Sequence, residues 1–223
     1  MLFLIHTGTG WARITDLQFS FNRQSELGNM DIGKLSSLNI TNFKPITINS
    51  EVIGFRGVTL SAPKRRWVLN EIGECGIHTY VDLRAGGRSD SFPLDCEKAG
   101  LKYVHLPTDK FRTPDAVIIS NLFALAEIIT EGGFYISCVL GLHRTDMALS
   151  LHYLFNPQIN EPPILYAPLD DGRLRYRDIF QRAGSVYSSL SKEDKELLGW
   201  NDSFKKEFLS RKITLKEFQV RVS

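Results

Sequence analysis

The sequence predicts an α/β fold, and three observations carry the prediction. From Val52 onward, short apolar runs of strand length alternate with longer segments whose apolar residues recur at helical spacing. Glycines stand where those helical segments must stop, at Gly76, Gly100 and Gly132-Gly133. The alternation culminates over residues 134–155, where an apolar run, a tight loop and an apolar helical segment follow one another without a break.

Residues 1–50 carry no chemical motif. The first five residues are apolar, but His6 and Gly8 interrupt them and no basic segment precedes them. They therefore predict a short strand, not a membrane span or a signal peptide. Broken alternation over 14–21 and 46–55 suggests strands, and the Ser/Asn-rich stretch 36–42 with Gly28 and Gly33 reads as loop. The region is expected to be an N-terminal extension packed on a main domain at 51–160, with 161–223 as a C-terminal helical appendage of that domain.

Within the main domain, Ile53-Gly54-Phe55-Arg56 reads as a strand leading into a loop. Pro63 suits the first turn of a helix that runs to Cys75, with Trp67, Val68, Leu69 and Ile72 on its apolar face. A strand follows over 77–84. Asp82 and Arg84 are expected there as a structural ion pair at the sheet edge. After a turn at Gly86-Gly87-Arg88-Ser89, a short helix over 92–99 and a strand over 102–106 are predicted, with His105 structural.

The next loop holds two carboxylates. Thr113-Pro114 reads as N-cap and first position of a helix over 114–131, so the dipole of that helix accounts for Asp115. Asp109 lies in the loop and has no such account. Past residue 155 the chain is rich in proline and polar residues. Helices are expected over 172–190 and after Ser191, and Thr214-Leu215-Lys216-Glu217 reads as a capping box. Arg173, Arg175 and Arg177 are expected on a solvated face.

The chemistry concentrates in Cys138-Val139-Leu140-Gly141-Leu142-His143-Arg144-Thr145. A loop between a strand and a helix N-terminus offers backbone N–H groups and a favourable dipole to an anion. Such a position favours the thiolate form of a cysteine, and an arginine at the loop's end can grip two phosphate oxygens together. With a net charge of +2, nothing points to nucleic acid. The three cysteines make no CxxC pair and no metal-ligand spacing, so no cofactor, metal or disulfide framework is expected, and a reducing, cytoplasmic setting fits.

The octapeptide resembles the Cys-x5-Arg-Ser/Thr signature of the cysteine-dependent protein tyrosine phosphatase superfamily, with the glycine third after the cysteine. The strand Val81-Asp82-Leu83-Arg84 is similar to one found in the dual-specificity-like branch. Two departures are Ser137, where the family usually has His, and Asp146, where it usually has a small residue. Asp146 is expected to cancel part of the field felt by a bound phosphate. The resemblance covers about residues 52–155. It implies a mostly parallel twisted sheet with helices on both faces and a phosphocysteine mechanism. Cys138 would be nucleophile, Arg144 clamp, Thr145 sulfur partner and Asp109, 29 residues before Cys138, general acid, with Asp115 as its competitor for that last role. Val139, Leu140, Gly141, Leu142, His143 and Arg144 would bind the substrate, a phosphorylated protein or a small phosphorylated molecule. The neutral loop suits phosphotyrosine or another phosphoprotein residue. An inositol phosphate or phosphoinositide substrate, and a pseudophosphatase that only binds phosphorylated partners, are the alternatives.

Overall fold

The computed structural model describes residues 4–7, 10–13, 30–48, 50–86, 91–109, 112–156, 159–167, 173–197 and 204–222. Strands β1 (Leu4–Thr7) and β2 (Gly10–Arg13) pair antiparallel in a small sheet of their own. Helix α1 (Ile32–Ser37) follows, then β3 (Lys44–Ile48), β4 (Glu51–Val58), α2 (Ala62–Glu74), β5 (Thr79–Asp82), α3 (Ser91–Lys98) and β6 (Lys102–His105). Next come α4 (Asp115–Glu131), β7 (Phe134–Cys138), α5 (His143–Phe155), α6 (Tyr176–Ser189), α7 (Lys192–Leu197) and α8 (Phe204–Val222). The main sheet has five strands in the order β3-β4-β7-β5-β6. β3 runs antiparallel to β4, and the other three pairs are parallel. This is the mixed α/β fold that the alternation predicts.

β5 and β7 are buried at every position, as strands inside a sheet covered on both faces must be. Successive side chains go to opposite faces. Phe55, Tyr80 and Tyr135 pack on one face against Leu69 and Ile72 of α2 and Phe92 and Cys96 of α3. Val81, Phe134 and Ile136 pack on the other against Leu125 and Ile128 of α4 and Ala148 and Leu149 of α5. α6 and α8 form a further layer, where Ile179, Ala183, Val186, Phe208 and Leu215 meet Leu151, Leu154 and Phe155 of α5. α5 is thus enclosed on all sides, which accounts for a sequence that is apolar around most of its circumference. Leu35 of α1 is buried in the α2–α3 core, so residues 30–48 contribute both a core residue and an edge strand.

Several expectations need correction. The strand expected over 46–55 is two strands, β3 and β4, paired antiparallel, with Ser50 between them at φ 67°. The strand expected over 14–21 and the turn residues Gly87, Arg88 and Ser89 lie outside the described residues. Asp82 and Arg84 do pair, but β5 is an inner strand, so the pair sits at its C-terminal end and not at the sheet edge. Thr214 lies inside α8 and donates to Ser210 O at 3.1 Å, so the Thr214–Glu217 pattern caps nothing. No helix among the described residues is long and apolar enough to cross a membrane.

The joint between α4 and α6 is also tighter than helix-dipole reasoning implies. α4 starts at Asp115 with Pro114 ahead of it, and the Thr113 hydroxyl is buried without a hydrogen-bond partner among the described residues. Asp115 pairs with Arg182 at 3.0 Å and accepts from Ser185 Oγ at 2.5 Å and Ser189 Oγ at 3.0 Å. Arg182 also donates to Thr113 O. Burial holds the Arg182 guanidinium below its ordinary pKa, with Asp115 opposing. Asp115→Ala is therefore expected to cost about 2–3 kcal/mol, above an exposed pair and below a fully enclosed one. A thermal melt should show Tm lower by roughly 4–12 °C, with turnover of an aryl phosphate within threefold of wild type.

Candidate active site

The loop between β7 and α5 sits where three strands end together. Val58 of β4 stands opposite Cys138, and Asp82 of β5 stands opposite Ser137. The C-terminal ends of parallel strands are where open α/β sheets place their sites. Four of the loop's carbonyls are held from outside. Cys138 O accepts from Thr59 N at 3.0 Å and Thr59 Oγ1 at 2.7 Å. Leu140 O accepts from Asn42 Nδ2 at 2.8 Å. Gly141 O accepts from Arg56 Nε at 3.0 Å and Nη2 at 2.8 Å, and Leu142 O from Arg56 Nη2 at 3.0 Å. In a planar trans peptide the N–H of the next residue points opposite to the carbonyl. The N–H groups of Val139, Gly141, Leu142 and His143 are thereby turned inward, around the end of β7 and the start of α5. Inward N–H groups at a helix N-terminus form an anion nest.

Gly141 is required for this turn. Its φ is +69°, and a Cβ there would lie 2.2 Å from the backbone of Gly57. Gly57 is itself closed off, since a Cβ there would lie 2.3 Å from the Tyr135 hydroxyl. Gly141→Ala is expected to displace the loop and lower orthovanadate affinity by at least about tenfold, the equivalent of 1.4 kcal/mol, measured by calorimetric titration. The overall helix signal in circular dichroism should be unchanged.

Cys138 is 3% exposed, and the Thr145 hydroxyl donates to its sulfur at 3.7 Å. Arg144, on the first turn of α5, places Nη2 3.6 Å from Asp109 Oδ2. Its Nε is buried with no hydrogen-bond partner among the described residues. Asp109 also accepts from Arg112 N at 3.1 Å. Its loop is anchored on both sides. Asn121 Nδ2 donates to Pro107 O at 2.7 Å and Thr108 N donates to Leu83 O at 3.1 Å, while Arg182 holds Thr113 O. Asp109, His143, Arg144, Met147, Arg173 and Leu174 line a cavity of about 220 Å³. The fold therefore brings Asp109, Arg144 and His143 to one cavity and Thr145 to the Cys138 sulfur at the start of the same loop, and it turns Asp115 away into the α4–α6 joint.

Three expectations about the site change. Val139 and Leu140 are 56% and 37% exposed, so these two side chains form an apolar rim on the solvent side of the loop. Leu142 packs instead toward the core around α5. Asp146 does not weaken the nest. It is fully buried, paired with Arg56, and accepts from Tyr166 N at 2.9 Å and Ala167 N at 2.6 Å. Burial raises its carboxyl above the ordinary value, against the opposing charge of Arg56. Arg173 lies on the cavity, not only on a solvated face. Ser137, in the place of the expected histidine, shares a hydrogen bond with the Tyr80 hydroxyl at 2.7 Å.

Asp82 meets the Arg84 guanidinium through both oxygens and accepts from Tyr103 at 2.9 Å. Burial opposes its charge, but those donors outweigh it and hold the carboxyl below its ordinary value. His105 shares a 2.6 Å hydrogen bond with Arg84 O, a structural contact as expected. The sequence reasoning missed Arg56, Thr59 and Asn42 as holders of the loop. The one available signal was an arginine closing an otherwise apolar strand, where a buried charge needs a specific partner.

No protein-family model matches the chain, and no curated protein matches it by sequence. Solved structures do. A candidate phosphatase (DUF442) from Shewanella putrefaciens CN-32 superposes with TM-score 0.50 at 14% identity, covering 72% of this chain and 99% of that one. The fold is shared. TpbA of P. aeruginosa gives TM-score 0.43 at 16% identity, covering 67% of this chain and 88% of that one. The core catalytic domain of the PP-IP phosphatase SIW14 from S. cerevisiae gives 0.41 at 13% identity, covering 76% and 91%.

Proposed function

We propose that this protein hydrolyses phosphoric monoesters through a phosphocysteine intermediate on Cys138. The observation that carries the reading is the buried Arg144 Nε, which has no hydrogen-bond partner among the described residues, beside a loop whose N–H groups are turned inward. A buried N–H left without an acceptor is costly, and a tetrahedral oxyanion would satisfy it together with the loop. In the proposed reaction the Cys138 thiolate attacks phosphorus in line. The loop N–H groups and Arg144 stabilise the equatorial oxygens. Asp109 gives its proton to the leaving oxygen. Water then displaces the sulfur, Asp109 takes a proton from that water, and the Thr145 hydroxyl stabilises the departing thiolate.

The preferred substrate class is a phosphoprotein, acted on by a protein tyrosine or dual-specificity phosphatase. The exposed apolar rim of Val139 and Leu140 suits contact with polypeptide around the scissile group. A small polyphosphorylated substrate, such as an inositol phosphate, is the second reading. It is favoured by Arg173 and His143, which line the cavity beside Arg144 and offer cationic or hydrogen-bonding partners for a second anionic group.

A phosphate-release screen over phosphotyrosyl peptides, phosphoseryl peptides and inositol phosphates, run with inhibitors, tests the proposal. Orthovanadate is expected to inhibit, and peroxide to inactivate in a way that thiols reverse. Chelators should leave the rate unchanged, because the proposed mechanism takes its positive charge from Arg144 and the N–H groups. Loss of activity with a chelator would point to a metal-dependent hydrolase. Binding of phosphopeptide without any release would establish the pseudophosphatase instead.

A further inference from the structure

We propose that Arg56 and Asp146 form a buried positioning bridge that holds the loop 139–142 in its anion-binding shape, and that the segment 159–167 is the bridge's outer anchor. The inference rests on the phosphatase reading above. Arg56 and Asp146 are both fully buried. One edge of the Arg56 guanidinium grips Gly141 O and Leu142 O, and Nη1 meets the Asp146 carboxylate. Asp146 in turn takes the N–H groups of Tyr166 and Ala167, and the Tyr166 ring covers Arg56 with its centroid 5.1 Å from Cζ. The segment is pinned from α8. Gln219 accepts from Leu165 N at 3.0 Å and donates to Pro163 O at 2.7 Å, while Arg211 Nη1 donates to Ile159 O at 2.9 Å. Contacts therefore run unbroken from the C-terminal helix to the loop.

The pair's position decides its role. A buried ion pair is a poor way to gain stability, since desolvation offsets most of the attraction. A rigid planar fork is what can hold two successive carbonyls outward at once, and a lysine has no such fork. The carboxylate fixes the fork's orientation and offsets its buried charge. Asp146 stands on the first turn of the helix that begins the site, where the resembled phosphatases carry a small residue, so the bridge reaches the loop from its own helix.

The test is hydrogen exchange of the full chain read by mass spectrometry, with orthovanadate titration and a thermal melt on the same variants. Asp146→Asn keeps the volume and one acceptor but removes the charge. Arg56→Lys keeps the charge but not the fork. Both are expected to speed exchange of the amides at 139–143 by at least tenfold and weaken orthovanadate binding by at least tenfold, with β5 and β7 still protected. Gln219→Ala, which touches neither buried charge, should move loop exchange in the same direction by a smaller factor and serves if the other variants do not fold. If loop exchange and orthovanadate affinity stay within threefold of wild type while Tm falls, the pair only stabilises and the proposal is overturned. If wild-type protein hydrolyses no phosphate ester, the phosphatase reading falls alone, because loop exchange still decides the bridge.

Discussion

Cys138→Ser is expected to lower turnover of an aryl phosphate by about 10⁴–10⁶-fold, the scale of loss when a covalent nucleophile is removed. A serine hydroxyl is a far weaker nucleophile than a thiolate. The nest does not depend on the sulfur, since Arg56, Thr59 and Asn42 hold the loop carbonyls outward. Orthovanadate and phosphopeptide binding by the variant should therefore stay within severalfold of wild type by titration. Activity within tenfold of wild type would rule out the covalent route and leave direct attack by water.

Asp109→Ala is expected to lower the turnover number on phosphotyrosine by about 10²–10⁴-fold, the usual contribution of a positioned general acid. The loss should shrink on an activated aryl phosphate, whose phenoxide departs without a proton. Substrate affinity should persist, because Arg144 and the loop N–H groups still hold the phosphoryl group. The dependence of rate on ionisation of the acid should disappear as well. Steady-state kinetics over a series of leaving groups checks all of this. An equal loss on every ester would remove Asp109 from the proton-transfer step and assign it to orienting Arg144, which it meets at 3.6 Å.

What could be read from the sequence is what is local in it. The strand–loop–helix unit around Cys138 spans a few turns of chain, and its glycine, its apolar flanks and its arginine all report on the same short segment. The alternation of strands and helices is likewise a local pattern repeated, which is why the α/β class was legible. What holds the loop was not, because Asn42, Arg56 and Thr59 reach it from 98, 85 and 79 residues away. Asp115 was explained by the nearest helix end, while its partners Arg182, Ser185 and Ser189 lie in α6. Asp146 was misread for the same reason. A carboxylate beside a phosphate site looks repulsive until Arg56 and the N–H groups of Tyr166 and Ala167 are placed around it. Thr214 shows the converse error, in which a local pattern suggests a helix start that the longer helix α8 absorbs.

The covalent phosphocysteine is the centre of this account, and trapping it tests the account most directly. Asp109→Ala removes the group proposed to activate water in the second step, so with an activated aryl phosphate the intermediate should form and then accumulate. After a rapid denaturing quench and proteolysis at neutral to mildly alkaline pH, mass spectrometry should find one phosphoryl group on the peptide containing Cys138, absent from the Cys138→Ser variant treated in the same way. An unmodified Cys138 peptide during steady turnover, with the phosphoryl group on another residue or on none, would contradict it.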